Sequence, residues 1–250
     1  MNIENPRVSV VIPAYRCAET IDKAIRSVLI QDVPLEVLVI NDASPDDVDS
    51  VMEKYKEDER IVYIKNKKNM GAAKTRNKGV ALANAPYVAF LDSDDLWRPG
   101  KLKKQLSCLN KTKGVLCSTA RELMTADGKK TGRVLPVNRQ LTYEMLLKHN
   151  NIVCSSVVLR TDVAREFPMI YEDSHEDYIV WMQILRKYGK GYGINEPLVL
   201  YRQSVSGKSG SKLKSAMMTW KAYRYMGFGW LQSMRCFVSY AWNGVKKYYL

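Results

Sequence analysis

Two hydrophobic periods alternate through the first hundred residues. Residues 7–13 (RVSVVIP), 35–40 (LEVLVI), 60–64 (RIVYI) and 87–91 (YVAFL) are short runs rich in β-branched side chains, bounded by turn formers, and read as buried parallel strands. Between the first two, residues 20–31 (TIDKAIRSVLIQ) place Ile21, Ala24, Ile25, Val28 and Leu29 on one helical stripe, with Thr20 as the cap. Residues 47–55 and 72–83 read as further helices. Strand and helix in alternation predict an α/β fold built on a doubly wound, mostly parallel sheet with flanking helices. In such sheets ligands bind beyond the carboxyl ends of the strands.

The polar clusters fall at those ends. Pro13-Ala14-Tyr15-Arg16 follows the first strand, Asn41-Asp42-Ala43-Ser44-Pro45-Asp46 the second, and Asp92-Ser93-Asp94-Asp95 the fourth. Turn chemistry explains each loop taken singly; their joint placement points to one crevice. The last loop carries three carboxylates in four positions. These repel one another unless a cation sits between them, and Mg²⁺ or Mn²⁺ prefers such oxygens. The other reading is a helix N-terminus with acids in its first turn. No GxGxxG follows the first strand and no GxxxxGK[ST] occurs, so a bound diphosphate would rely on a metal rather than a glycine-rich cradle.

At 250 residues and 46% hydrophobic content the chain can bury a sizeable core. Five cysteines without a CxxC pair indicate neither a disulfide framework nor a zinc site and fit a reducing cytoplasm. The net charge of +13 is uneven: residues 197–250 hold nine Lys or Arg and no Asp or Glu, and residues 212–250 hold ten of the 24 aromatics. Basic and aromatic together suggest an anionic surface with an apolar interior, as at the cytoplasmic face of a membrane. Nucleic acid is the competing anion but would call for cations spread along a groove with exposed stacking rings, and is not expected. Residues 1–7 lack the regions of a signal peptide, and no apolar run reaches the ~18 residues of a spanning helix. The expectation is a catalytic unit over 1–213 and a membrane-associating helical tail over 214–250, cytoplasmic and peripheral on the inner face of the membrane. Trp220, Tyr223, Phe228, Trp230, Leu231, Met234, Phe237, Val238 and Trp242 would face lipid from two or three short helices joined at Gly227, Gly229 and Gly244. Alternatively these rings cover the catalytic unit's own core or a dimer contact.

In order and spacing, VSVVIPAYR, SVLIQD, NDASPDD, NMGAAKTRN (69–77), DSDD, His175-Glu176-Asp177-Tyr178 and Tyr201-Arg202 resemble a family 2 glycosyltransferase of the GT-A fold, of the bacterial polysaccharide or teichuronic-acid type, over about residues 8–211. The resemblance implies transfer of a sugar, with inversion, from a nucleoside diphosphate donor to a lipid-linked or growing polysaccharide acceptor. It leaves a rival: a non-catalytic basic module of the same fold that binds membrane or nucleic acid. The acids intact at three sites favour catalysis.

Carried over residue by residue, the resemblance makes Pro13 and Tyr15 flank the nucleobase, with Asp42 reading it. A carboxylate accepts the imide N–H of uracil, which favours uridine. Ser44, Asn69, Gly71, Arg76 and Ser93 join the donor side, the lesser alternative for Arg76 being a solvated helix charge. Asp94 is the direct metal ligand, and Asp92 is shared between ribose and ion. Asp95 reads instead as a cap of the following turn. Asp177 is the catalytic base and Glu176 its neighbour on the acceptor side, unless both are ordinary first-turn acids of a helix bearing Ile179, Trp181 and Met182. Arg202 and Lys208 belong to the acceptor side or to a Ser/Gly/Lys-rich lid that could also be a plain linker. Arg16 stands where many relatives have Asn, changing contacts near the donor sugar or forming a rim salt bridge. His149 reads as a helix-end residue, and His175 as a loop residue or an acceptor contact.

Overall fold

The computed structural model describes residues 5–203 and 212–249. In chain order the elements are β1 (Val8–Ala14), α1 (Ile21–Leu29), β2 (Leu35–Asn41), α2 (Val48–Met52), β3 (Ile61–Lys65), α3 (Ala72–Leu82), β4 (Tyr87–Phe90), β5 (Leu96–Trp97), α4 (Lys101–Thr112), β6 (Leu116–Met124), β7 (Lys130–Leu135) and β8 (Gln140–Thr142). There follow α5 (Tyr143–Lys148), β9 (Val158–Arg160), α6 (Thr161–Glu166), α7 (Glu176–Tyr188), β10 (Lys190–Arg202), α8 (Lys212–Tyr225) and α9 (Trp230–Tyr249).

One sheet runs β3-β2-β1-β4-β9-β6-β10-β5, with β7 beside β6 and β8 beside β10. Its long ladders are parallel: Val8 to Ala14 pair with Leu35 to Asn41, and Tyr192 to Arg202 pair with Cys117 to Met124. The antiparallel pairings are short, as where β9 fits between β4 and β6. Successive residues face opposite layers. Val8, Val10, Ile12, Val37 and Val39 pack in one core with α1 and α4 residues such as Ile25 and Leu106. Val11, Leu38, Ile40, Val88 and Phe90 pack in the other with Tyr178 and Trp181 of α7. Helices therefore cover both faces, as the alternation of periods predicts. Close approach of α3 to β1 needs Gly79, where a Cβ would lie 2.4 Å from a methyl of Val11.

Three local expectations change. Thr20 does not cap α1, because its backbone lies in the helical region and its hydroxyl donates back to the Cys17 carbonyl. Residues 47–55 divide into α2, capped by Asp47 accepting from the Ser50 amide, and a 3₁₀ turn. Of the rings expected to face lipid, Tyr223 and Phe228 lie instead in the core that contains Tyr178 and Trp181. The break between the two terminal helices falls at Gly227 and Gly229, with φ of +84° at Gly227, while Gly244 lies within α9.

Candidate active site

The loops after β1, β2 and β4 meet at one end of the sheet, held together by their own polar side chains. The Arg16 amide donates to Ser44 Oγ at 2.6 Å and the Ala18 amide to Asp46 Oδ2 at 2.7 Å, stitching the first loop to the second. Ser93 hydrogen-bonds the buried Cys17 thiol, which burial pushes up to about 11, and so joins the first loop to the third. Pro13 is half-buried near the end of β1, Ala14 after it is buried, and Tyr15 beyond is exposed. Arg16 takes φ +51°, a left-handed conformation that Asn tolerates better than a long side chain. Its guanidinium stands 5.4 Å from the Tyr15 ring centroid.

Asp42 is buried, and its carboxylate accepts the Met70 amide at 2.9 Å, the Gly71 amide at 2.8 Å and Asn66 Nδ2 at 2.8 Å. Its backbone carbonyl accepts Asn69 Nδ2 at 3.3 Å. Asp42, Asn69 and Gly71 thus form one unit, with the acid fastening the turn that opens α3. Three of roughly four acceptor positions on that carboxylate are filled by the protein, leaving about one for a base. Gly71 has φ +85°, and a Cβ there would meet the Glu172 carboxylate at 3.3 Å.

The DSDD loop is anchored from beneath. The Asp92 amide donates to Ser155 Oγ at 3.0 Å. Asp95 does not cap the following turn through its side chain; its Oδ1 accepts the Arg202 amide of β10 at 2.8 Å. Arg202 Nε donates to the Asp94 carbonyl at 2.8 Å and Nη1 to the Ala126 carbonyl at 2.7 Å, so this guanidinium is occupied in fixing the loop. Burial, and then the charge of Asp92, push Asp94 up to about 6; Asp95 is driven well above the carboxylate range by burial and by both neighbours. Asp95 Oδ2 is buried without a hydrogen-bond partner among the described residues. Crowded, desolvated carboxyls with an orphaned oxygen fit a divalent cation. Among the described residues no three Asp, Glu, His or Cys side chains converge on a common point, so such an ion would draw further ligands from water and substrate.

Arg76 joins this loop to the start of α7. It is no solvated helix charge: it is buried, with Nη2 at 2.6 Å from Asp92 Oδ1 and Nη1 at 3.3 Å from Glu176 Oε1. Glu176 is buried beside it, and Asp177 follows on the first turn of α7. Desolvation and the Glu176 charge raise the Asp177 carboxyl, opposed by Arg76. His149 stands at the end of α5, as expected, while the His175 ring contacts Ser215 of α8 at 3.2 Å. Lys208, with residues 204–211, lies outside the described residues.

Sequence reasoning missed Ser155, which also accepts Trp97 Nε1 through its carbonyl, and Cys154, buried among Arg76, Asp92, Glu176 and Asp177. Tyr201 has no role assigned by sequence; burial, and then the charges of Asp95, Asp92 and Asp94, raise its phenol.

Among proteins of known name, the chain is 35% identical over 97% of its length to TuaG of Bacillus subtilis, named for teichuronic acid biosynthesis, and covers 97% of that chain. It is 33% identical to the Escherichia coli UDP-Glc:α-D-GlcNAc-diphosphoundecaprenol β-1,3-glucosyltransferase WfaP, over 96% of this chain and 95% of that one. The fold superposes on Staphylococcus aureus TarS residues 1–349 in complex with UDP-GlcNAc with a TM-score of 0.72 at 18% identity, covering 92% of this chain and 69% of that chain, and is a GT-A fold. Residues 9–167 match the sequence model of Glycosyl transferase family 2, and with its acidic loop and α7 acids gathered on one crevice the chain belongs to that family of glycosyltransferases.

Proposed function

We propose that the protein moves a sugar, with inversion, from a UDP-sugar to a hydroxyl of a lipid-linked or growing polysaccharide acceptor, with Asp177 as the general base. The observation that carries this reading is the buried Arg76, which ties Asp92 of the donor-side loop to Glu176, the neighbour of Asp177, across two ion pairs. Acid loop and base are thereby held on either side of one guanidinium. A carboxyl raised by desolvation is a better proton acceptor than a solvated one, which suits Asp177 to deprotonating an attacking hydroxyl. Asp94 and Asp92 would hold Mg²⁺ or Mn²⁺, whose charge stabilises the departing diphosphate. Tyr15 offers an exposed ring for the base, and Asp42 has one acceptor position left for the uracil imide. WfaP, named for UDP-Glc, and TarS, in complex with UDP-GlcNAc, support the same choice.

WfaP's diphosphoundecaprenol acceptor places that enzyme's chemistry at a membrane. Among the described residues no helix is long and apolar enough to cross one. The outer face of α9 instead exposes Trp230, Leu231, Val238 and Trp242, in a chain region without acids, and we assign it to an anionic bilayer surface.

Asp177→Asn keeps shape but cannot take the proton. UDP affinity in the presence of Mn²⁺ should stay within about twofold, while single-turnover transfer to a GlcNAc-diphospho-lipid falls ~10²-fold or more. Equal loss in titration and turnover would reject the base assignment, and tighter binding of GDP than of UDP would reject the donor.

A further inference from the structure

Residues 171–175, immediately before the acids of α7, are held largely by α8. Tyr171 stacks on Tyr225 with centroids 4.0 Å apart and planes at 18°. Asp173 accepts from Lys221 Nζ at 2.7 Å and from the Tyr225 hydroxyl at 2.9 Å. Ser174, buried, donates to the Met218 carbonyl at 2.8 Å. The His175 ring lies 3.2 Å from both the carbonyl and the hydroxyl oxygen of Ser215. Just upstream of the segment the chain is pinned to α3, where Asn77 makes a reciprocal pair with the backbone of Met169, at 2.7 and 2.9 Å. His175 sits at the N-cap position of α7, and its side chain makes no capping bond there, so the ring's hydrogen-bond contacts run to α8.

We propose that α8 is a working part of the active site rather than a passive cover, and that His175 is a positioning residue: by anchoring its ring to Ser215 it fixes the first turn of α7 and so the direction in which Asp177 presents its carboxylate. This rests on Asp177 being the base. The contact is suited to that task. It joins the residue two before Asp177 to the first turns of α8, and α8 is itself locked to α7 by the burial of Ala222 and Tyr223 against Tyr178, with the two tyrosine rings edge to face at 6.4 Å. Displacement of a base by about 1 Å costs up to ~10²-fold in rate without any change in donor contacts.

The full-length protein is compared with His175→Ala, His175→Gln and Asp177→Asn. Readouts are UDP titration with Mn²⁺, melting temperature, and single-turnover transfer from UDP-glucose to a GlcNAc-diphospho-lipid. For His175→Ala, transfer should fall about ten- to a hundredfold, with UDP affinity within twofold and the melting temperature nearly unchanged. The Gln amide reaches the Ser215 carbonyl and should recover most of the rate. A full rate in His175→Ala beside an inactive Asp177→Asn overturns the positioning role, as does parallel loss of rate, UDP binding and melting temperature that Gln fails to rescue. Full activity of Asp177→Asn would overturn the base assignment and this proposal with it.

Discussion

Helices α8 and α9 come from one stretch of sequence, basic, aromatic and without acids, yet they meet the rest of the molecule differently. In α8 the positions Met218, Thr219, Ala222 and Tyr223 are buried, continued by Met226 just past its end, so its apolar stripe closes on α5 and α7. Tyr223 spends its hydroxyl on the Leu147 carbonyl at 2.8 Å. In α9, Cys236, Phe237 and Tyr240 pack against the same core, but a second apolar stripe remains: Trp230, Leu231, Met234, Val238 and Trp242 recur at helical spacing on the outside. A hollow of about 490 Å³ runs along it between Met234, Val238 and Trp242. Composition alone therefore does not separate a helix that completes a core from one that carries a spare face. The number of apolar stripes does, since one stripe is consumed by packing and a second is left over for another surface.

Truncation tests this distinction most severely. A chain ending after Ser215 loses both helices and, with them, the burial of Met218, Tyr223, Met226 and Phe228. At about 1.5–3 kcal/mol for each large apolar side chain, that approaches the whole net stability of a domain, so the fragment should be unfolded or aggregated. A soluble fragment with an unaltered melting curve and UDP binding would show α8 to be dispensable. Single substitutions sharpen the contrast. Tyr223→Ala on α8 should cost about 3–5 kcal/mol by denaturant unfolding, whereas Leu231→Ser with Val238→Ser on α9 should stay within about 0.5 kcal/mol for each change. The α9 pair should instead lose about tenfold or more in sedimentation with phosphatidylglycerol vesicles, a loss that persists at high salt because it removes apolar contact rather than charge. Undiminished vesicle binding would dismiss α9 as the docking face.

The parts of the molecule legible in sequence are those whose physics is local. Parallel strands buried on both faces write continuous β-branched runs, which is why β1, β2 and β4 stand within a residue or two of expectation, and loops after such strands fall at the ligand edge by topology; β3 stands where expected too, but as a half-exposed edge strand rather than a buried one. Residues 98–174 gave no such signal. β6 is buried throughout, yet it carries Ser118, Thr119, Arg121 and Glu122, and Glu122 is tolerated there because it pairs with Arg98. β8 and β9 have three residues each, too few to show a period. In the candidate site, Asp92, Asp94 and Asp177 are proposed from motifs, but the bond from Arg76 to Glu176 spans 100 residues and leaves no local trace. Ser155 is one serine among many until the Asp92 amide is seen to need it. Thr20 had the residue type of a cap but not the backbone, since the preceding turn already carries it into helical geometry.

Lysines sharpen the comparison further, because burial rather than residue type should decide what each one does. Lys221 on α8 faces solvent and pairs with Asp173, so Lys221→Met should leave the melting temperature almost where it is. Lys101 on α4 is fully buried, 3.8 Å from the Trp97 ring centroid, with no hydrogen-bond partner for its amine among the described residues. Burial lowers it from the ordinary lysine value of 10.5 to about 7. Between those two values the unfolded chain binds a proton that the folded chain does not, so the Lys101 contribution to stability rises with pH, by at most ~1.4 kcal/mol per unit. Below about pH 7 both states are charged and the penalty is constant. Lys101→Met should accordingly be more stable than the parent at pH 7, on the order of 2 kcal/mol after the loss of the ring contact is offset. That advantage should shrink steadily toward pH 9.5, since groups that titrate in both proteins, Cys108 among them, cancel in the difference. Urea unfolding of the two proteins at pH 6, 7, 8 and 9.5 decides it: a difference in stability that is flat across this range would mean that the Lys101 amine stays charged inside the fold, and that burial had not set its behaviour.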